Sequence, residues 1–177
     1  DSSVPSISAD GSRVAFISEA ADLVSSDTNG FRDVFLRDLA AGTTKRVSVA
    51  ADGSQLFQGG WGAAISGDGR HVAFLALNDG VTPGDKNGIG DWFVRDLATK
   101  QTRLMSILPA GGQFPATGGM SAYAGISDDG SVVVNLRDGG TTHRDFGERF
   151  MVFRDGPGRD GEIQAPVRSS VGLALTR

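Results

Sequence analysis

The sequence predicts an all-β protein built from repeated four-stranded antiparallel sheets. Three observations predict it: a repeat of fixed period, strand-length apolar runs inside each repeat, and an abundance of glycine. Pro5–Ser48 aligned on Ala63–Ser106, 58 residues further on, gives 18 identities in 44 positions without a gap. Ile7 and Ile65, Asp27 and Asp85, and Arg37 and Arg95 all keep that offset of 58. A constant period of this size marks one supersecondary unit used several times. Glycine supplies 26 of 177 residues, about twice the usual share, as a turn-rich chain requires.

Each element can be placed in order. The repeats open with PSISADGSRVAFIS (Pro5–Ser18) and AAISGDGRHVAFLA (Ala63–Ala76). Ser6–Ser8 reads as a short first strand, and Ala9-Asp10-Gly11-Ser12 as a tight turn carrying the Asp-Gly of a hairpin; Asp68 and Asp129 recur in the same turn. Arg13–Ser18 is the second strand, with Val14 and Phe16 on one face and Ala15 and Ile17 on the other. A strand apolar on both faces is sandwiched between other layers. A loop of about 14 residues follows, then DVFLRDLAAGTTKRVS (Asp33–Ser48) or DWFVRDLATKQTRLMS (Asp91–Ser106). These read as a third strand at 33–39, a turn at 40–43 and a fourth strand at 44–49. Arg37-Asp38, Arg95-Asp96 and Arg154-Asp155 recur in every copy, as a structural tie between strands would.

A third copy is worn. AGISDDGSVVVNLR (Ala124–Arg137) and RFMVFRD (Arg149–Asp155) repeat the opening and the middle, but Arg144, Phe146 and Phe150 stand at the polar positions of its loop. Four antiparallel strands buried on both faces, repeated at this spacing, describe a β-propeller. Its blades are expected at about 4–50, 62–108 and 123–168, with a further strand, VGLALT, in a C-terminal segment at about 170–177. Three blades do not close a ring whose usual range is four to eight. The ring is therefore expected to be completed by more blades of a longer chain or by a second chain, since an open arc exposes apolar blade faces.

ISADGSRVAF, ISGDGRHVAF and DVFLRDLAAGTTKRVS resemble the TolB-like, WD-related β-propeller repeats of exported bacterial proteins, and the DTNG loop resembles a frequent sub-type of that repeat. The resemblance extends to about Asp155. It implies four-stranded blades around a central channel and an exported location, periplasmic or extracellular. It does not imply one activity, because propellers bind, gate and catalyse alike.

Composition narrows the function classes. The net charge of −4 is mild and the basic residues are scattered, which offers neither a nucleic-acid footprint nor a polybasic membrane patch. No apolar run approaches the length of a membrane-spanning helix. The absence of cysteine removes disulfides, thiolate metal sites and cysteine nucleophiles, and fits export. The chain begins at Asp1, and processing or excision is the expected reason.

The candidate site is the loop pattern D-x-N-G-x-x-D, present as DTNGFRD and again as DKNGIGD. Asp27, Asn29 and Asp33, and likewise Asp85, Asn87 and Asp91, offer side-chain oxygens to a hard cation, for which Ca2+ is the natural choice. Gly30 and Gly88 let the backbone fold tightly enough to turn a carbonyl inward. The glycine is fourth in the loop, not sixth, and no helix follows, so the pattern is not an EF-hand. Asn-Gly is also an ordinary turn pair, and the flanking aspartates could simply serve the turn. Asp22 and Asp79 lie upstream as further oxygen donors.

Catalysis has little to build on. The chain has two histidines, His71 and His143, and no G-x-S-x-G elbow. His71 aligns with Arg13 at a strand start and reads as a surface position. Trp61, set among Gly59, Gly60 and Gly62, is a candidate for stacking on a sugar ring or for filling a gap between blades. The expectation is a non-catalytic extracytoplasmic interaction or scaffold propeller, Ca2+-stabilised in two loops. The alternatives are the gating domain of a larger hydrolase or peptidase and a glycan-binding propeller.

Overall fold

The computed structural model of the chain describes residues 1–107, 112–113, 120–137, 149–154 and 161–163. All its regular elements are strands, and they form three four-stranded sheets. The first contains β1 (Ser2–Ile7), β2 (Arg13–Ser18), β3 (Asp33–Asp38) and β4 (Thr43–Arg46) in spatial order β1-β2-β3-β4. The second contains β5 (Trp61–Ile65), β6 (His71–Ala76), β7 (Asp91–Asp96) and β8 (Gln101–Leu104) in the same order. The third contains β9 (Met120–Ile126), β10 (Val132–Arg137), β11 (Arg149–Arg154) and β12 (Gly161–Ile163). The architecture is that of propeller blades, all-β and antiparallel throughout. The expected strand at 170–177, and His143, Arg144 and Phe146, lie outside the described residues.

The register repeats with the sequence. Phe16 pairs with Phe35 and Phe74 with Phe93, and each pair stacks, at ring-centroid separations of 5.9 and 5.7 Å. Two strand expectations differ from the structure by more than one residue. β1 begins four residues earlier than Ser6, because a register break between Ser3 and Ser6 lets the chain pass Val4 at φ 49° and resume pairing. Gly62, 58 residues on, takes φ 58° in the matching break of β5, where glycine adopts that conformation without strain. β4 ends at Arg46, not at Val49: Val47 and Ser48 both direct their N–H groups to the Val34 carbonyl, at 2.8 and 3.4 Å, which stops the ladder.

The sheets stack face to face as an open arc, with β5 packed on β1 and β2 and β9 packed on β5 and β6. One apolar cluster fills the first seam with Ala15, Ile17, Val34 and Leu36 from one side and Val72, Phe74, Ala76 and Phe93 from the other. A second, with Ala73, Leu75, Trp92, Val94 and Val133, fills the seam to the third sheet. Among the described residues, none gives the first sheet's outward face such a cover. Val14 and Phe16 are half-buried there, whereas their counterparts Val72 and Phe74 are 0% exposed.

Candidate functional site: two acidic loops joined to the next blade

The D-x-N-G-x-x-D loops run from β2 to β3 and from β6 to β7, and each ends on an aspartate that opens a strand. Asp33 and Asp91 are fully buried at those starts. Each is fixed from the end of the fourth strand: Ser48 Oγ donates to Asp33 at 2.6 Å while accepting from Val34 N at 2.9 Å. Ser106 Oγ repeats both bonds with Asp91 and Trp92 N. Asn29 Oδ1 accepts from Phe31 N at 3.0 Å, closing the turn, and its Nδ2 donates to Asp33 at 3.1 Å and to Leu56 O at 2.9 Å. Asn87 closes its turn through Ile89 N at 3.2 Å. Gly30 and Gly88 take φ 71° and 74°, so the loop needs glycine there for its backbone alone.

Each loop is also held by a glutamine from the connection to the next blade. Gln55 Nε2 donates to Asp27 at 3.0 Å, and its carbonyl accepts from Thr28 N and Oγ1. Gln113 Nε2 bridges the second pair of carboxylates, 3.2 Å from Asp85 and 3.3 Å from Asp91, while Oε1 accepts from Lys86 N at 2.7 Å. The sequence held this signal, since Gln55 and Gln113 keep the 58-residue offset.

The electrostatics of the two loops differ. In the first, the buried guanidinium of Arg46 lies 3.4 Å from Asp27 and 3.9 Å from Asp33. In the second, the corresponding residue is Leu104, and the pair Asp85 and Asp91 is 1% and 0% exposed. Burial, with the Asp91 charge adding to it, pushes Asp85 up to about 6. Asp91 is raised chiefly by burial, and Asp79 adds a like charge. Asp33 is raised by burial too, though Arg46 opposes it. Asp79 joins the second loop directly by accepting from Gly88 N at 2.8 Å, whereas Asp22 is exposed in the first. Among the described residues, no three histidine or acidic side chains are gathered at metal-ligand spacing. Any ion here would take two carboxylates and complete its shell from amide oxygens, carbonyls and water.

The other singled-out residues are also placed. Trp61 is half-buried against the second cluster, and the Arg32 guanidinium lies over its ring at 4.2 Å from the centroid. Outside it, Phe31 and Phe57 form an exposed pair 6.2 Å apart. The Arg-Asp pairs tie strands separately: Arg37 donates to Thr44 and Arg95 to Thr102, while Asp38 and Asp96 receive Arg13 and Arg70. Asp10, Asp68 and Asp129 each accept from a serine hydroxyl and a backbone N–H of their own turn, as hairpin chemistry predicts. His71 corrects its sequence reading. It is buried, because the third sheet's turn covers the strand start that looked like surface.

No protein-family profile matches the chain, and no curated protein matches it in sequence. Solved structures do match in fold. A putative TolB from Agrobacterium tumefaciens superposes with TM-score 0.57 at 15% identity, over 92% of this chain and 48% of that one. TolB from Acinetobacter baumannii gives 0.53 at 20%, over 92% and 32%. The β-propeller domain of the Trilobed protease from Pyrococcus furiosus gives 0.53 at 12%, over 94% and 44%. The chain thus has the fold of a TolB-like β-propeller and spans about a third to a half of the length of these propeller-bearing chains.

Proposed function

We propose that the chain is a non-catalytic interaction or scaffold module, a segment of a propeller whose ring is completed by further blades of the same kind. The observation that carries this reading is the half-buried Val14–Phe16 face beside the fully covered Val72–Phe74 face. The repeat itself specifies the cover: a neighbouring sheet presenting small and branched apolar side chains, as Ala15, Ile17, Val34 and Leu36 do for the second blade. Native mass spectrometry tests the source of that cover. A chain-to-chain complex means that separate chains close the ring. A monomer that binds a hydrophobic dye through the Phe16 face means that the remaining blades belong to a longer chain. A monomer without dye binding would overturn the reading.

The second loop takes a divalent cation, Ca2+ by its oxygen donors, in this reading. Support comes from two buried carboxylates that Gln113 joins through a neutral amide, beside a first loop that carries its own Arg46. Ca2+ is expected to raise the melting temperature of the native chain, and Leu104→Arg is expected to abolish that response. A response unchanged in Leu104→Arg would move the ion elsewhere. Export, to the periplasm or beyond, is part of the proposal and rests on the repeat resemblance; cell fractionation checks it.

The likeness to the propeller domain of a protease favours one second reading, a gating domain of a larger hydrolase. A G-x-S-x-G segment in the same polypeptide would decide for it.

A further inference from the structure

The seam between the first two blades is held by two side chains that the repeat does not keep. Ile65 N donates to Ser6 Oγ at 3.1 Å. The Arg13 guanidinium, 3.3 Å from Asp38 in its own blade, donates across the seam to Gly69 O at 2.9 Å. Ser6 and Arg13 become Ala64 and His71 in the second blade, and Gly125 and Val132 in the third. Of the three blades, only the first carries the pair.

The surface that this pair grips recurs on the first blade itself. Ile65, Gly69, Val72, Phe74 and Leu97 of the gripped face correspond, 58 residues earlier, to Ile7, Gly11, Val14, Phe16 and Leu39, without one substitution. The third blade departs from that face, with Asn135 at the phenylalanine position. Ile7 pairs with Val14 as Ile65 does with Val72, next to equivalent bonds from Ser8 N and Ser66 N, so both N–H groups face away from the second strand. Gly11 and Gly69 close the same turn, at φ 70° and 68°. Ile7, however, is 61% exposed where Ile65 is 6%, and Leu39 is exposed where Leu97 is half-buried.

In a repeat protein each unit meets only its neighbours, so one docking face asks for one partner chemistry. Covering this face buries the Ile7 N–H and the Gly11 carbonyl, and each then needs a hydrogen-bond partner. We infer that the first blade docks a further repeat of its own kind, with serine and arginine at the Ser6 and Arg13 positions. This rests on the ring-completion reading above and names the partner within it. A second copy of the chain is not that partner. Its third blade would bring Gly125 and Val132, which have no side-chain donor or acceptor, and its first blade already uses the pair on its own second blade.

The test places residues 1–58 once more ahead of Asp1 of the full chain, which continues the 58-residue register. Hydrogen exchange of the Ile7 amide in the original first blade is the readout. Its protection is expected to rise about tenfold over the native chain, which itself stays monomeric by native mass spectrometry. Ser6→Ala with Arg13→Ala, in the added repeat alone, is expected to remove most of that gain. No gain, or a gain that the double variant keeps, would overturn the clamp. So would a native chain that dimerises and protects Ile7 unaided. Loss of hydrophobic-dye binding without Ile7 protection would overturn the clamp and leave ring completion standing. Should the extended chain fail to fold, the pair can be moved to the third blade of the native chain by Gly125→Ser, where a Cβ meets open space, and Val132→Arg. Self-association is then expected to tighten about tenfold, and unchanged association would overturn the proposal.

Discussion

Arg46 and Leu104 occupy the same position at the end of the fourth strand in two successive blades, and this one exchange separates their acidic loops. Arg46 stands 3.4 Å from Asp27 and 3.9 Å from Asp33, so the first loop is locally compensated. Leu104 gives Asp85 and Asp91 no charge, and Gln113 is left to bridge them with a neutral amide. Two loops with one motif therefore have different electrostatic states, and the difference lies outside the motif.

Arg46→Leu should copy the second loop into the first. Removing one partner from a buried ionic group leaves the others uncompensated, at a cost of about 3 kcal/mol. Urea denaturation in chelator is expected to show that loss. Millimolar Ca2+ is expected to restore part of it, and native mass spectrometry to find one more bound ion per chain. A loss that Ca2+ does not touch would mean that the first loop needs a guanidinium and cannot accept a metal.

The uncovered face of the first blade gives a matched pair of substitutions. Phe16 and Phe74 are equivalent by sequence and stack on equivalent partners, Phe35 and Phe93. Truncating a fully buried phenylalanine costs about 3–5 kcal/mol, and a half-exposed one less. In the isolated chain, Phe74→Ala should therefore cost about 2 kcal/mol more than Phe16→Ala by denaturant titration. In the completed ring the two costs should converge, and a persistent gap there would mean that Phe16 is never covered.

The fold was legible because its signals are local and repeated. Asp10-Gly11 names its own turn, and Val14 to Ile17 alternate as a strand packed on both faces must. The strand ends were less legible. Val47 and Ser48 look like more strand but spend their N–H groups on Val34, a choice that pairing geometry makes and residue type does not. Of the candidate site, the six loop residues could be read from spacing. Gln55 and Gln113 were missed because they lie outside the motif, and Arg46 because a lone basic residue in a strand looks like solvated surface. His71 was misread for a related reason: its burial comes from a turn some 60 residues later.

The hairpin aspartates predict an acid limb in stability. Ser8 Oγ first, then the Ser12 N–H, lowers Asp10 to about 2, and the Ser131 N–H, then Ser127 Oγ, does the same for Asp129. The folded value lies below the unfolded one, so the native state binds fewer protons. The stabilisation is complete above about pH 4 and disappears as pH falls through about 2. Asp10→Asn with Asp129→Asn should lower the melting temperature by a few degrees near neutrality, with the gap from the native chain closing below about pH 3. A gap that stays constant down to pH 2 would place the effect in turn shape and not in charge.

Two glycines of the connection between the first and second blades separate backbone strain from close approach. Gly53 and Gly59 both have positive φ, 86° and 67°, so alanine is strained at each. Around Gly53 a Cβ would meet open space, whereas at Gly59 it would lie 2.0 Å from the Arg32 carbonyl and 3.3 Å from Phe31 Cβ. Gly53→Ala should cost about 1 kcal/mol, the strain alone. Gly59→Ala should cost about 3 kcal/mol or more, because the Arg32 backbone must move and the bond from Gly60 N to Arg32 O, 2.9 Å, must stretch. That movement would also shift Arg32 from the face of Trp61, so indole fluorescence should change in Gly59→Ala and not in Gly53→Ala. Equal costs at the two sites, with no fluorescence change, would mean that this connection yields freely and does not hold the first acidic loop against the second blade.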